Sequence, residues 1–496
     1  MTKKSSAKRF RRWLAFGARA FALLALFLIG KALLSSAPPR PEPSGASFQL
    51  EIDADAVAAR LSQALRFKTI SHREESKVDR EPFTAMRAWL AEAYPRVHDE
   101  ALVERHDVGE GQIFMIPGSD PLAAPLLLLA HLDVVPAETA SKGDWTRPPF
   151  AGEVADGYVW GRGALDDKAS AICIFEAAEL LLASGMRPVR PLLFAVGEDE
   201  EVLGKRGGEK MAEWLSLRGV RPFLILDEGM ALVDEVFEGV DAEVALIGVS
   251  ERGYATIELL AEAEGGHSSM PPERTAVFSL SQALARLEEH PMPAHTDGVV
   301  GAMLDRLGKE QSLLQEIVTS NRWLFGALVA MRMEASPGSN AMLRTTFAPT
   351  LVRAGEVENA LPTQARAWVN VRVHPSDTVA DVLEHVRGVV SDVGVEVTLL
   401  EGSSEPSPVS PDEGPAWETL RSALATIEPS AVQAPGLVVG ATDARHYSAL
   451  SENIYRFIPM RLTPEDLPRI HGVDERIGVK NLGELVRFYL ELTLSA

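Results

Sequence analysis

The sequence predicts an α/β fold: a mostly parallel sheet with helices on both faces, interrupted by a smaller α+β unit. Three observations predict it. Apolar runs at 125–135 (PLLLLAHLDVV), 189–201 (VRPLLFAVGEDEE) and 221–229 (RPFLILDEG) are nearly continuous, as strands buried on both faces require. They alternate with helical patterns, the clearest being KASAICIFEAAELLLASG at 168–185, which Gly185 closes as a C-cap. Near residue 250 the pattern changes to half-exposed strands, so a second unit begins there.

The three apolar runs end in HLD, EDEE and LDEG. In a parallel sheet, ligands bind beyond the carboxyl ends of the strands, so these polar residues share one rim. The second unit reads as strand 251–264, helix 274–289, strands 345–356 and 364–375, helix 378–392 and strand 395–402. That order, β-α-β-β-α-β, is ferredoxin-like. Residues 290–340 read as extra helical material within it, and apolar 321–333 (NRWLFGALVAMRM) as a core helix of that unit or the wall of a hydrophobic pocket. The expected division is an N-terminal anchor and linker (1–44), a catalytic unit in two parts (45–249 and 404–496) and the inserted unit (250–403). There is no internal repeat and no long low-complexity tract.

The N-terminus obeys different physics. Residues 1–40 hold nine Lys or Arg and no Asp or Glu, leaving 40 basic and 70 acidic residues, a net charge of −30, for the remainder. The basic start and the apolar run AFALLALFLIG (20–30) describe a signal anchor or secretory signal. Trp13 to Leu34 reaches the roughly 20 residues of a span by including Arg19 and Lys31, which can snorkel. The positive-inside rule keeps the basic end cytoplasmic, so the body is expected in the cell envelope, outside the inner membrane, anchored or exported. Ala37 to Pro43 would be a stiff spacer.

A total net charge of −21 argues against nucleic acid, whose phosphates need a basic face. The single cysteine, Cys173, rules out an internal disulfide and four-thiolate zinc modules, so a metal must be held by His, Asp and Glu. Among eleven histidines, His72, His98, His106, His290, His295, His374, His385 and His446 read as solvated or structural. His131 ends a buried strand, and Asp133 two residues on faces the same side, able to orient it. GRGALDDK (161–168) adds Asp166 and Asp167, of which Asp167 also reads as a helix N-cap. GEDEEVLG (197–204) crowds four carboxylates into one loop, unfavourable unless a cation or proton compensates. His471, in RIHGVDERI, completes a set of oxygen and imidazole donors that suits zinc, manganese or cobalt.

With AHLDVVP, GRGALDDK, EDEE, LDEG, GGHSSMP and a late HGVDE in this order, the chain resembles the co-catalytic zinc metallopeptidases over about residues 50–490. These include glutamate carboxypeptidase, carboxypeptidase S, succinyl-diaminopimelate desuccinylase and aminoacylase. The wording looks closest to the branch of carboxypeptidase S and the N-fatty-acyl-amino-acid hydrolases. The resemblance implies a phosphorylase/hydrolase-like catalytic domain with a lid that dimerises. It implies two Zn2+ per subunit, with Co2+ or Mn2+ as alternatives. His131 would bind one zinc, oriented by Asp133. Asp166 would bridge both and precede a cis peptide. Glu201 and His471 would bind the second zinc. Asp227 would complete the first site, with neighbouring Glu228 as the alternative, because many relatives have Glu there. Glu200 would be the general base. His267 would steady the oxyanion, often from the partner subunit, while Asn359 and Arg372 would hold the substrate's carboxylate and Arg445 would assist.

The implied activity is zinc-dependent hydrolysis of an amide beside a free carboxylate, in a small peptide or an N-acyl-amino acid. Two other readings share the fold: a non-catalytic, membrane-tethered binding protein, and a di-metal hydrolase of an ester or phosphate.

Overall fold

The computed structural model describes residues 2–34, 40–43, 50–137 and 145–496. At the centre of a ten-stranded sheet, Leu126–His131 lies between Leu192–Gly197 and Leu224–Asp227 and runs parallel to both. Every residue of these three strands is buried. Strand alternation divides their side chains between two cores. Leu126, Leu128, Leu192, Phe194, Leu224 and Leu226 join the core under helices Ala54–Ala64, Lys168–Ser184 and Val479–Ser495. Leu127, Leu129, Leu193, Ala195 and Ile225 meet Met211 and Leu215 of helix Gly208–Leu217, and Tyr447, on the other face.

Outward from this centre the sheet becomes mixed. Ile454–Arg456 is parallel to Leu224–Asp227 and antiparallel to Val244–Glu251, which in turn pairs in parallel with Val432–Val438. Gly111–Ile116 and Glu104–Asp107 form the antiparallel opposite edge. Helix Lys168–Ser184 stops at Gly185, whose φ of 71° is left-handed and whose N–H returns to the Leu182 carbonyl.

The smaller unit comprises Gly253–Glu262, Ala276–Glu289, Thr346–Ala354, Gln364–Val373, Val379–Val389 and Val395–Leu399. In space its strands run 346–354, 364–373, 253–262, 395–399, all antiparallel, which is the ferredoxin-like order. It has its own core: Ile257, Leu259, Val369 and Val371 pack beneath Leu280, Ala283, Val382 and Val386. Its edge strand Thr346–Ala354 exposes Leu351 and Val352.

The structure departs from the sequence expectation at 290–340. The material between the first helix and second strand of the small unit forms helices Gly298–Leu307, Leu313–Ser320, Arg322–Met333 and Pro337–Leu343. The stripe Val299, Val300, Met303 and Leu307 joins the core of the large sheet, not that of the small unit, because Gly298–Leu307 lies on strand Val432–Val438. Nor does 321–333 form a core helix: helix Arg322–Met333 buries only Val329 and turns Trp323 and Met331 outward, each 62% exposed. The sequence run is apolar because this helix presents an apolar face to the outside.

Thr2–Leu34 is one helix, and Trp13–Leu34 within it is long and apolar enough to cross a membrane by length and composition. The spacer expected at 37–43 is described only at 40–43, and the 44/45 boundary lies outside the described residues.

Candidate metal centre

His131 closes the central strand. Its Nδ1 lies 3.0 Å from the Asp133 carbonyl and 3.3 Å from Asp133 Oδ1. Its Nε2 lies 3.0 Å from Asp166 Oδ1 and 3.2 Å from Glu228 Oε1. On the other side, His471 Nε2 lies 2.9 Å from Asp166 Oδ2 and 3.1 Å from Glu201 Oε2. Asp166 therefore gives one oxygen to each histidine. Two triads result, His131–Asp166–Glu228 and Asp166–Glu201–His471, each with donor atoms within 4.8 Å of one another.

Short loops at the sheet rim create this convergence. Gly163 turns the chain ahead of Asp166 with φ 89°, and a Cβ there would sit 2.9 Å from Val134 Cγ1. The Asp166–Asp167 peptide is cis. Asp133 accepts the Glu200 and Glu201 N–H groups on its two oxygens, at 3.2 and 3.1 Å, so it fixes the acidic loop as well as the imidazole. The His471 loop is held by a buried ion pair that the sequence reading did not single out. Arg162 Nη1 meets Glu475 Oε2 at 2.6 Å, and Arg162 Nη2 donates to the His471 and Gly472 carbonyls, each at 3.0 Å. Glu475 also accepts from the backbone N–H of Leu165 and Asp166. One pair thus ties the His471 turn to the Asp166 turn, and His471 itself sits at φ 59°, a left-handed backbone uncommon outside glycine.

Asp227 does not join either triad. Its carboxylate accepts the Glu228 N–H at 3.0 Å and the Ala444 N–H at 2.7 Å, which turns it away from His131. Glu228, one residue past the strand end, has the longer reach and occupies that place. Asp167 stands at the N-cap position but makes no capping side-chain bond; it accepts from Ser170 Oγ and from the His131 N–H instead.

The charge balance of the centre fits a cation. Burial, with neighbouring acids, pushes Glu200 and Glu228 well above the ordinary glutamate value and raises Glu201 as well. Burial pulls the His131 imidazole down, but Glu228, Asp133 and Asp166 outweigh it and raise it well above the ordinary histidine value. Hydrogen bonds to Asp166 and Glu201 raise His471 to about 10. Burial also pushes Asp166 up, yet hydrogen bonds from His131 and His471 hold it below its usual value. Crowded acids of this kind need a compensating cation or proton, and a divalent metal held by these donors would supply the charge while displacing protons.

The triads open into a cavity of about 470 Å³. Glu200 lines it beside Asp166, Glu201, Glu228 and His471. Arg73, Arg372 and Arg445 supply positive charge, with the Arg372 guanidinium 5.3 Å from the Tyr254 ring centre. Met230, Ile458, Met460, Leu462 and Ile470 supply apolar wall. Arg73 and Tyr254 carried no motif signal. Among the described residues, His267 and Asn359 do not line the cavity. They stand together, exposed, on a two-stranded ribbon of the small unit, where the Ser268 N–H meets the Asn359 carbonyl at 3.1 Å. A third group, His295, His374 and Asp377, lies apart from the cavity. There the Ser376 N–H donates to His374 Nδ1, which leaves the ring proton on Nε2, and His295 pairs with Asp377 at 3.1 Å.

Residues 127–495 match peptidase family M20/M25/M40. The chain belongs to that family. It is 39% identical to the N-fatty-acyl-amino acid synthase/hydrolase PM20D1 of Xenopus tropicalis over 87% of this chain and 84% of the relative. It is 28% identical to carboxypeptidase S of Saccharomyces cerevisiae over 98% and 97% of the two chains. Its fold matches the M20 metallo-carboxypeptidase Sso-CP2 of Sulfolobus solfataricus with a TM-score of 0.63 at 16% identity, covering 90% of this chain and 99% of that one. Membership makes this M20 protein an enzyme, a metallohydrolase of the carboxypeptidase and amidohydrolase type. The rim of histidines and carboxylates provides the donor chemistry that such a metallohydrolase needs.

Proposed function

We propose that this enzyme hydrolyses the amide bond of N-acyl-amino acids or small peptides, next to a free carboxylate, with two zinc ions. The observation that carries the reading is Asp166 between His131 and His471, at 3.0 and 2.9 Å, each triad completed by its own carboxylate. His131, Asp166 and Glu228 would hold one ion, and Asp166, Glu201 and His471 the other, with Co2+ or Mn2+ as substitutes for Zn2+. When bound, such a pair supplies Lewis acidity toward the carbonyl and acidifies the attacking water.

Glu200 faces the same cavity and takes the proton of the attacking water, then returns it to the leaving nitrogen. Arg372 and Arg445 grip the substrate carboxylate, for which a guanidinium offers paired donors. The apolar wall from Met230 to Ile470 fits an acyl chain or a large apolar side chain, in keeping with the fatty-acyl substrates named for the Xenopus relative. His267 and Asn359, outside the cavity of their own chain, are available to that of a second copy. The exposed edge strand Thr346–Ala354 is the pairing surface for such a dimer. Trp13–Leu34 is a membrane anchor, and the body lies outside the cytoplasm.

The test is an assay of the full chain in mild detergent against N-acyl-amino acids and dipeptides, with metal content measured on the same sample. Two metals per chain and release of free amino acid, abolished by a chelator and restored by zinc, are expected. Two metals with turnover only of esters or phosphates would overturn the amide assignment.

A further inference from the structure

The membrane anchor proposed above leaves a second apolar surface without an explanation. Between Trp13 and Leu34 only Leu28 and Ala32, one turn apart, are buried. They mark where the end of the N-terminal helix rests on the body. The Leu28 carbonyl accepts from Asn321 Nδ2 at 3.2 Å, the Ala32 carbonyl accepts from Lys309 Nζ at 2.8 Å, and the Phe27 ring meets Trp323 edge-on at 6.5 Å.

The supporting helices are Leu313–Ser320 and Arg322–Met333, and their outer faces are apolar. Leu314 is 72% exposed, Trp323 and Met331 62% each. Leu324 and Leu328 add to the patch. The spacing 324, 328, 331 places these side chains on one helical face, with Trp323 at its margin. Both charged residues of this helix are ion-paired: Arg322 with Asp305 at 2.6 Å, and Arg332, exposed at the other margin of the face, with Glu238. Scattered exposed leucines need no explanation, but a contiguous apolar face marks an interaction surface. Through the Phe27–Trp323 contact this face continues the apolar surface of the span itself. An indole at that junction suits the boundary between headgroups and acyl chains.

We propose that this helix pair is a second membrane contact, its Trp323–Met331 face seated in the lipid of the leaflet from which the N-terminal helix emerges. The inference rests on the anchor reading. Two contacts fix the orientation of the body on the membrane, which a single helix on a linker would leave free.

The test uses the full chain reconstituted in vesicles of phosphatidylethanolamine and phosphatidylglycerol. Single cysteines at Leu26→Cys, Leu328→Cys and Leu217→Cys carry an environment-sensitive nitrobenzoxadiazole label; native Cys173 is buried and does not compete. Leu217 is 86% exposed on helix Gly208–Leu217 and serves as the aqueous reference. Blue-shifted emission, quenched by spin-labelled lipid, is expected at 26 and 328 and not at 217. Lipid quenching at 26 with a water-like signal at 328 would overturn the second contact and leave the anchor standing. A blue shift at 328 that lipid does not quench would mean a second protein copy covers the face, which also overturns it. A water-like signal at 26 would remove the anchor and the inference with it.

Discussion

At the strand end Leu224–Asp227, one residue of register decides which acid meets His131. Asp227 is held by two backbone N–H groups, one of them 217 positions away in sequence at Ala444. Glu228 is free of that restraint and lies 3.2 Å from His131. Glu228→Gln is therefore expected to leave one metal per chain after dialysis. Asp227→Asn should keep two at saturation with affinity weakened by about 10–100-fold, the usual effect of disturbing a ligand's support. Metal analysis across a zinc titration separates the two, and the opposite pattern would return the ligand role to Asp227. Glu200→Gln keeps every donor of both triads. Turnover is expected to fall by about 10²–10⁴-fold with metal content intact, the range for losing a general base. Near-normal turnover in that variant would remove Glu200 from the reaction.

At the scale of elements, the sequence was legible wherever a single strand or turn determined position. Continuous apolar runs ending in HLD, EDEE and LDEG set the parallel centre and its polar rim, because runs this short, closed by polar residues and separated by helical patterns, suit strands buried on both faces. His131, Asp166, Glu201 and His471 were legible because each lies at a strand end or in a marked turn. What required the third dimension was anything decided by a remote partner. The stripe Val299–Leu307 carries a clear helical period, but periodicity does not say which of two sheets it will cover. Arg162 and Glu475 are 313 residues apart, and only folding shows that they bind one another and the turns at Asp166 and His471. Their pair is buried on all sides, so truncating one partner strands the other's charge. Arg162→Met is expected to cost about 3–5 kcal/mol of stability, as broken buried pairs do. It should also loosen His471, so the second metal is lost before the first in a chelator titration. If thermal melting and both metal affinities stayed unchanged, the clamp would be ornamental.

For the whole molecule, the cavity of one chain is lined by Glu200, Asp166, Glu201, Glu228, His471 and three arginines, yet His267 stands outside it on the small unit. Either His267 has no part in the reaction, or it serves the cavity of a second copy. A mixing experiment decides between these. His267→Ala removes the imidazole a chain would lend, and Glu200→Gln removes the base it keeps for itself. In a dimer that shares His267, each variant alone is impaired for a different reason. A mixed dimer then has one complete site: the base of the His267→Ala chain with the imidazole of the Glu200→Gln chain. Random reassociation of a two-fold pair should restore about a quarter of wild-type turnover. Additive residual rates and no more would show that His267 does not act across subunits. A monomer by light scattering with full activity would exclude sharing altogether. The chemistry predicts which parameter recovers. A donor that meets the oxyanion acts in the transition state, so mixing should raise kcat while KM stays near that of the His267→Ala enzyme.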